Sequence, residues 1–231
     1  MHLSSLPSPH GIGSMGEPAR QIADFLQQAG RACWQLLPVC PTSYGDSPYQ
    51  SFSAYAGNPY FIDLDELERQ GYLRREEYEN IDWECGPDRI NYGVLYEKRY
   101  PVLEKAAERF RENPPGDYET FCRENARWLD DYACFMALKG AHGGAPWFDW
   151  EEPLRNREEQ AITEARLLHA EEIEFWKICQ YLFFEQWKAL RSYVNERGIR
   201  IIGDLPIYVS LDSVDVWAHP ELFQLDENKV P

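Results

Sequence analysis

At Gly198 the chain changes period within two residues. Upstream, Phe175, Trp176, Cys179, Leu182, Phe183, Phe184, Trp187, Leu190 and Val194 form a helical stripe dense enough to be buried on more than one side, which we read as packing against a sheet. Downstream, Ile199, Ile201 and Ile202 begin a buried strand that is read to run through Gly203 and Asp204 to Val209. A long helix that stops at a glycine and passes straight into an apolar strand is the αβ junction of a parallel α/β fold. The N-terminal stretch has the same grammar. Residues 2–6 predict a short strand, 7–13 a Pro/Gly turn, 18–29 a helix and 32–38 a second buried strand. Pro18 suits the first turn of that helix, Ile22, Phe25, Leu26 and Ala29 share one face, and Gly30 supplies the stop. Strand, helix and strand in this order predict a right-handed βαβ unit with parallel pairing.

Between these segments the chain turns helical. A short helix is expected near 65–70, a loop over 82–91, and a helix over 92–111 interrupted by Pro101. In 118–139, Phe121, Trp128, Leu129, Tyr132, Phe135 and Met136 repeat every three or four positions and read as core. The longest element is expected to be one helix over 158–197, solvated and acidic in its first half. The six cysteines form no CxxC pair and no zinc-like Cys/His cluster, so they read as reduced core thiols rather than a disulfide framework or a metal site.

Residues 43–64, SYGDSPYQSFSAYAGNPYFIDL, hold six aromatic rings on a scaffold of Gly, Ser, Pro and Asn. Gly45, Pro48, Gly57 and Pro59 break any regular period, and Asp46, Ser47, Ser51, Ser53 and Asn58 are side chains that fold back onto the backbone in turns. Two readings stand together. In one, Tyr44, Tyr49, Tyr55 and Tyr60 face outward, where flat rings among hydroxyls suit a sugar. In the other, the segment is an Ω-loop packed on its own aromatics. A formal net charge of -16 opposes nucleic acid and anionic lipid as partners and leaves a neutral substrate unhindered. Residues 1–15 carry no Lys or Arg and no continuous apolar core, and no run is long enough to span a membrane, so a cytoplasmic location is expected.

The sixteen residues from Gly45 to Tyr60, GDSPYQSFSAYAGNPY, resemble the signature loop of the 4-alpha-glucanotransferases, the amylomaltases or disproportionating enzymes of glycoside hydrolase family 77. The resemblance continues at HLSSLPSPHGIG (2–13), WQLLPVCP (34–41), LKGAHGG (138–144) and GIRIIGDLPIYVSLDSVDVWAHPELFQLD (198–226). It implies an α/β fold that is the first three strands of a (β/α)8 TIM barrel with a large, mainly helical insertion. The implied division is 1–58 as the first part of the barrel with the tyrosine-rich loop, 59–157 as the helical subdomain, and 158–231 as the long helix with the third strand and its following loop.

Retaining glycoside chemistry uses two carboxyl groups about 5 to 5.5 Å apart. The resemblance places the nucleophile, the acid/base and a third acid in segments that follow Pro231, so no catalytic residue is expected in this chain. Asp204 stands just past an apolar strand, where (β/α)8 enzymes build their sites, although a turn-forming Asp before Pro206 is the plain alternative. The resemblance implies that Asp204 accepts hydrogen bonds from sugar hydroxyls, that Ser47 and Tyr49 line the sugar site beside the scissile bond, and that Tyr44 and Tyr96 hold a second stretch of glucan. His2 reads equally as a core residue or a contact. His142 and His219 read as structural, Asp212 and Asp215 as solvated loop acids, and Trp147, Trp150 and Trp217 as packing residues or groove lining.

The activity implied is transfer of alpha-1,4-glucan segments between maltodextrins through a covalent glycosyl-enzyme, with no cofactor, no metal and no obligate protein partner. An alpha-glucan hydrolase, a non-catalytic glucan-binding fragment and a helical interaction protein are the alternatives. Transfer and hydrolysis differ only in how well water is excluded during the reaction.

Overall fold

The computed structural model describes residues 1–231 except 44, 87, 88, 227, 228, 230 and 231. Its helices are α1 (Glu17–Gln28), α2 (Leu64–Arg69), α3 (Tyr92–Glu112), α4 (Tyr118–Ala141), α5 (Glu152–Arg155), α6 (Glu159–Leu168), α7 (Ala170–Glu196) and α8 (Val214–Ala218), and its strands are β1 (Cys33–Gln35) and β2 (Arg200–Ile202). None of the helices among the described residues is long and apolar enough to cross a membrane. The chain forms two compact units: Met1–Val39 with Gly57–Gly116 and Cys179–Leu205, and Cys40–Ala56 with Asp117–Ile178 and Pro206–Pro231.

The first unit contains the sheet. β1 and β2 pair in parallel, with Trp34 opposite Ile201, and the pairing is extended by Arg200 N–H to the Ala32 carbonyl and Leu36 N–H to the Ile202 carbonyl, each 2.9 Å. Both strands lie within stretches expected as strands, 32–38 and 199–209, whereas residues 2–6, expected as the first strand of the βαβ unit, are not a strand. They form a 3₁₀ turn (Leu3–Ser5) in which Leu6 N–H bonds the Leu3 carbonyl at 3.0 Å. Two leucines three apart eclipse one another in such a turn, so Leu3 and Leu6 both reach the core. β2 is also shorter than the stretch expected over 199–209. It ends at Ile202, and Leu205, Ile207 and Tyr208 stand exposed beyond it.

The α1 face differs as well. Ala19 and Ala23 are its buried residues, while Phe25 is exposed. α3 runs through Pro101 without ending there, although the proline lacks the amide that would reach the Glu97 carbonyl and its ring crowds that carbonyl. In this unit the C-terminal part of α7 packs on α3 and on the tyrosine-rich segment. Tyr181 meets Phe110 of α3 edge-on at 5.4 Å, and Phe183 presses its ring against Gly57 so closely that an added Cβ there would come within 2.0 Å of it.

The second unit is built on α4. Phe135 has Trp150 at 5.5 Å, Trp217 at 5.7 Å and Phe52 at 6.4 Å around its ring. Trp147, Trp150 and Trp217 are core residues rather than groove lining, and each indole N–H is satisfied by a carbonyl: Leu211 at 2.7 Å, Ala145 at 3.1 Å and Leu154 at 3.0 Å. The single helix expected over 158–197 is two, α6 and α7, separated at His169 (φ −109°, ψ 30°). All six cysteines are free, yet only Cys40, Cys134 and Cys179 are core thiols; Cys33 and Cys85 are exposed and Cys122 is half-buried.

Candidate functional site

The tyrosine-rich segment is held differently in its two halves, one in each unit. Its first half, in the second unit, is a small hairpin. Thr42 and Ser51 bridge antiparallel, and Ser43 N–H bonds the Gln50 carbonyl at 2.9 Å. At the tip the backbone enters the left-handed region at Gly45 (φ 96°) and Asp46 (φ 58°), as a tight reversal requires of Gly and tolerates in Asp. Ser47 then turns the chain: its carbonyl accepts Gln50 N–H at 3.1 Å and its hydroxyl accepts Tyr49 N–H at 3.3 Å. The predicted pair Ser47 and Tyr49 is therefore brought together on one turn, with the Tyr49 residue 44% exposed. Tyr44 lies outside the described residues.

The return limb is tied by hydroxyls. Ser51 Oγ donates to the Ser53 carbonyl at 2.7 Å, and Ser53 Oγ accepts the N–H groups of Tyr55 and Ala56 at 3.1 and 3.2 Å. Ala54 N–H donates to the Asp215 carboxylate at 2.9 Å. Burial pushes the Asp215 carboxyl above its ordinary range, with the Ala54 N–H opposing. Asp212 accepts from the buried Lys139 ammonium at 2.6 Å, and that ammonium lies 4.9 Å from the centre of the Phe52 ring. Asp215 stands in the first turn of α8, and neither acid is the freely solvated loop acid expected. The reason is the neighbouring backbone and ammonium donors, which the local sequence does not display.

The second half, in the first unit, is core. Tyr60, expected to face outward, is 6% exposed and stacks obliquely on Tyr100 at 5.6 Å, and Phe61 is buried against the edge of His2. Burial and the nearby N-terminal ammonium hold His2 down to about 4, so His2 is a neutral packing residue. The backbone of this half is gripped by three buried polar side chains. Gln180 accepts Gly57 N–H at 2.8 Å and donates to its carbonyl at 3.0 Å; Gln186 does the same for Asp63 at 2.6 and 3.1 Å. Arg99, with no exposed surface, donates to the carbonyls of His10, Tyr60 and Ile62. Burial lowers its guanidinium to about 10, still charged at neutral pH.

Asp204 and Tyr96 also belong to the first unit. Asp204 is exposed two residues beyond the end of β2. Tyr96 projects from α3, 65% exposed, with Tyr100 edge-on at 5.9 Å. His142 and His219 each meet one carboxylate, Glu151 at 2.8 Å and Glu221 at 3.2 Å. His142 also stacks on Trp150 at 5.1 Å, as a structural residue would.

The sequence reading missed Arg99, Gln180, Gln186 and Asp215. The first three did leave a signal, a long polar side chain inside an otherwise apolar helical stripe, which is tolerated only where buried partners wait for it. Asp215 left none.

A family model described as 4-alpha-glucanotransferase matches residues 1–229. The 4-alpha-glucanotransferase of Thermus thermophilus is 52% identical over 235 aligned residues, and that of Clostridium butyricum 44% over 227, covering 100% and 98% of this chain. The chain spans about half the length of these relatives, 46% and 47%. A solved structure of amylomaltase from Streptococcus agalactiae in complex with acarbose superposes with a TM-score of 0.96 at 44% identity, covering all of this chain and 47% of that one. The family match runs from residue 1 to residue 229 and so takes in both halves of the tyrosine-rich segment and both strands: the chain belongs to the 4-alpha-glucanotransferase family.

Proposed function

We propose that the complete protein transfers alpha-1,4-glucan segments between maltodextrins by a retaining mechanism. The observation that carries this reading is the 52% identity, over the whole chain, to the 4-alpha-glucanotransferase of Thermus thermophilus. The hairpin supports it from the physical side: a half-exposed tyrosine on a stiff, hydroxyl-rich turn offers a sugar both a stacking face and hydrogen bonds. The relative solved with acarbose supports a glucan-like ligand. In this reading Ser47 and Tyr49 contact the sugar beside the scissile bond, Asp204 accepts hydrogen bonds from sugar hydroxyls, and Tyr44 and Tyr96 hold a further part of the chain. The nucleophile and the acid/base belong to the half of the relatives' length that this chain does not span, so residues 1–231 alone neither transfer nor hydrolyse glucan. The parallel pair β1 and β2, with Ile202 exposed, is consistent with part of a (β/α)8 barrel. A cytoplasmic enzyme without cofactor or metal completes the reading.

Tyr49→Ala in the complete protein tests it. The substitution removes a stacking face and is expected to lower kcat/KM on maltotriose by one to two orders of magnitude, about 1 to 3 kcal/mol, with unchanged melting. A folded variant with near-normal disproportionation would remove Tyr49 from the site.

A further inference from the structure

The return limb of the hairpin is gripped from outside by the start of α8, and hairpin and helix lie in the same compact unit. Val214 N–H donates to the Phe52 carbonyl at 2.9 Å, and the Asp215 carboxylate accepts Ala54 N–H at 2.9 Å. Consecutive residues of α8 thus meet alternate residues of the limb, as one rung of strand pairing would, with a side chain standing in for a backbone carbonyl. Ser213 holds the register, since its hydroxyl caps α8 by accepting Val216 N–H at 3.4 Å, and both Ser213 and Ser53 are buried. Of the other side-chain bonds of the limb, those from Ser51 to the Ser53 carbonyl and from the Tyr55 and Ala56 amides to the Ser53 hydroxyl are internal and shape it, while the Cys40 thiol adds a long, weak contact to the Ala54 carbonyl at 3.5 Å and leaves the Ala54 amide to Asp215.

We infer that Asp215 is a positioning residue: its carboxylate anchors the Ala54 amide and so sets the pose in which the hairpin presents Ser47 and Tyr49. This rests on the proposed role of the hairpin in glucan contact. Asp215 touches no substrate in this assignment. What it supplies is an acceptor, and a contact made elsewhere that lets reacting groups drift by an ångström can lower a rate about a hundredfold.

The test compares Asp215→Ala and Asp215→Asn in the complete protein, by maltotriose kinetics and by hydrogen exchange of the peptide covering residues 49–56. Alanine removes the acceptor; asparagine keeps an oxygen that can accept the same N–H. Asp215→Ala is expected to lower kcat/KM at least tenfold and to speed exchange in that peptide. Asp215→Asn is expected to stay within about fivefold of the parent, with exchange nearly unchanged. Asp215→Leu, similar in volume and without an acceptor, replaces the alanine variant if that one does not fold. Unchanged exchange in the alanine variant would overturn the anchor, and so would an asparagine variant as impaired as alanine. Faster exchange with undiminished kcat/KM would uphold the anchor and count instead against the hairpin as a glucan contact, so the two ideas fail separately.

Discussion

Asp204→Asn in the complete protein is expected to lower kcat/KM on maltotriose by about two orders of magnitude or more, while the melting temperature moves by less than about 2 °C. Asp204 is exposed and lies two residues beyond β2, so a substitution of the same shape leaves the sheet pairing of Arg200 to Ile202 untouched. Asparagine has the same shape, but it carries no charge and replaces one acceptor oxygen by a donor. Hydrogen bonds from a sugar hydroxyl to a carboxylate are roughly twice as strong as those to a neutral group, and a misplaced donor facing a hydroxyl adds a mismatch. Activity should therefore fall far more than stability. The opposite outcome, a melting temperature lowered by several degrees with activity largely kept, would make Asp204 the turn residue that its neighbour Pro206 also allows.

The largest stability effect should follow from Arg99→Leu, a loss of about 3 to 5 kcal/mol measured by denaturant unfolding. Arg99 has no exposed surface and donates to three carbonyls from two separate stretches of chain, His10 in one and Tyr60 and Ile62 in the other. Leucine fills much of the volume but leaves those carbonyls buried without their donor, each costing about 1 kcal/mol or more. Arg99→Lys should recover part of the loss, because an ammonium can reach one or two of the acceptors but cannot fork across three. A loss below about 1 kcal/mol for the leucine variant would mean that water or rearranged backbone satisfies those carbonyls, and that Arg99 does not hold the segment.

The helices were legible because their apolar spacing is long and their caps are local. α4 follows the stripe from Phe121 to Met136, and α1 ends beside Gly30 at φ 66°. The failures share a different character. Leu3 and Leu6, three apart with two serines between them, fit a short strand or a 3₁₀ turn equally, and the hydrogen bonds from Ser5 to His2 and from Leu6 to Leu3 decide. The break at His169 has no Gly or Pro to announce it. In the tyrosine-rich segment, composition suggested a ring-lined surface but could not say which rings are spent on the core: Tyr60 and Phe61 are buried, while Tyr49 and Tyr55 remain open. The supports were hardest of all. Asp215 reaches Ala54 across 161 positions, and Gln180 and Gln186 each reach across 123, distances at which a local pattern carries no information.

Residues 1–231 and the complete protein, each incubated with maltotriose and followed by product chromatography, provide the most direct measurement of the proposed activity. The complete protein should yield glucose together with maltodextrins longer than the substrate, the signature of glucan passed to another sugar, while residues 1–231 alone should yield neither. Shorter sugars without longer ones from the complete protein would contradict transfer in favour of hydrolysis, and longer maltodextrins formed by residues 1–231 alone would place the reacting carboxylates within this chain.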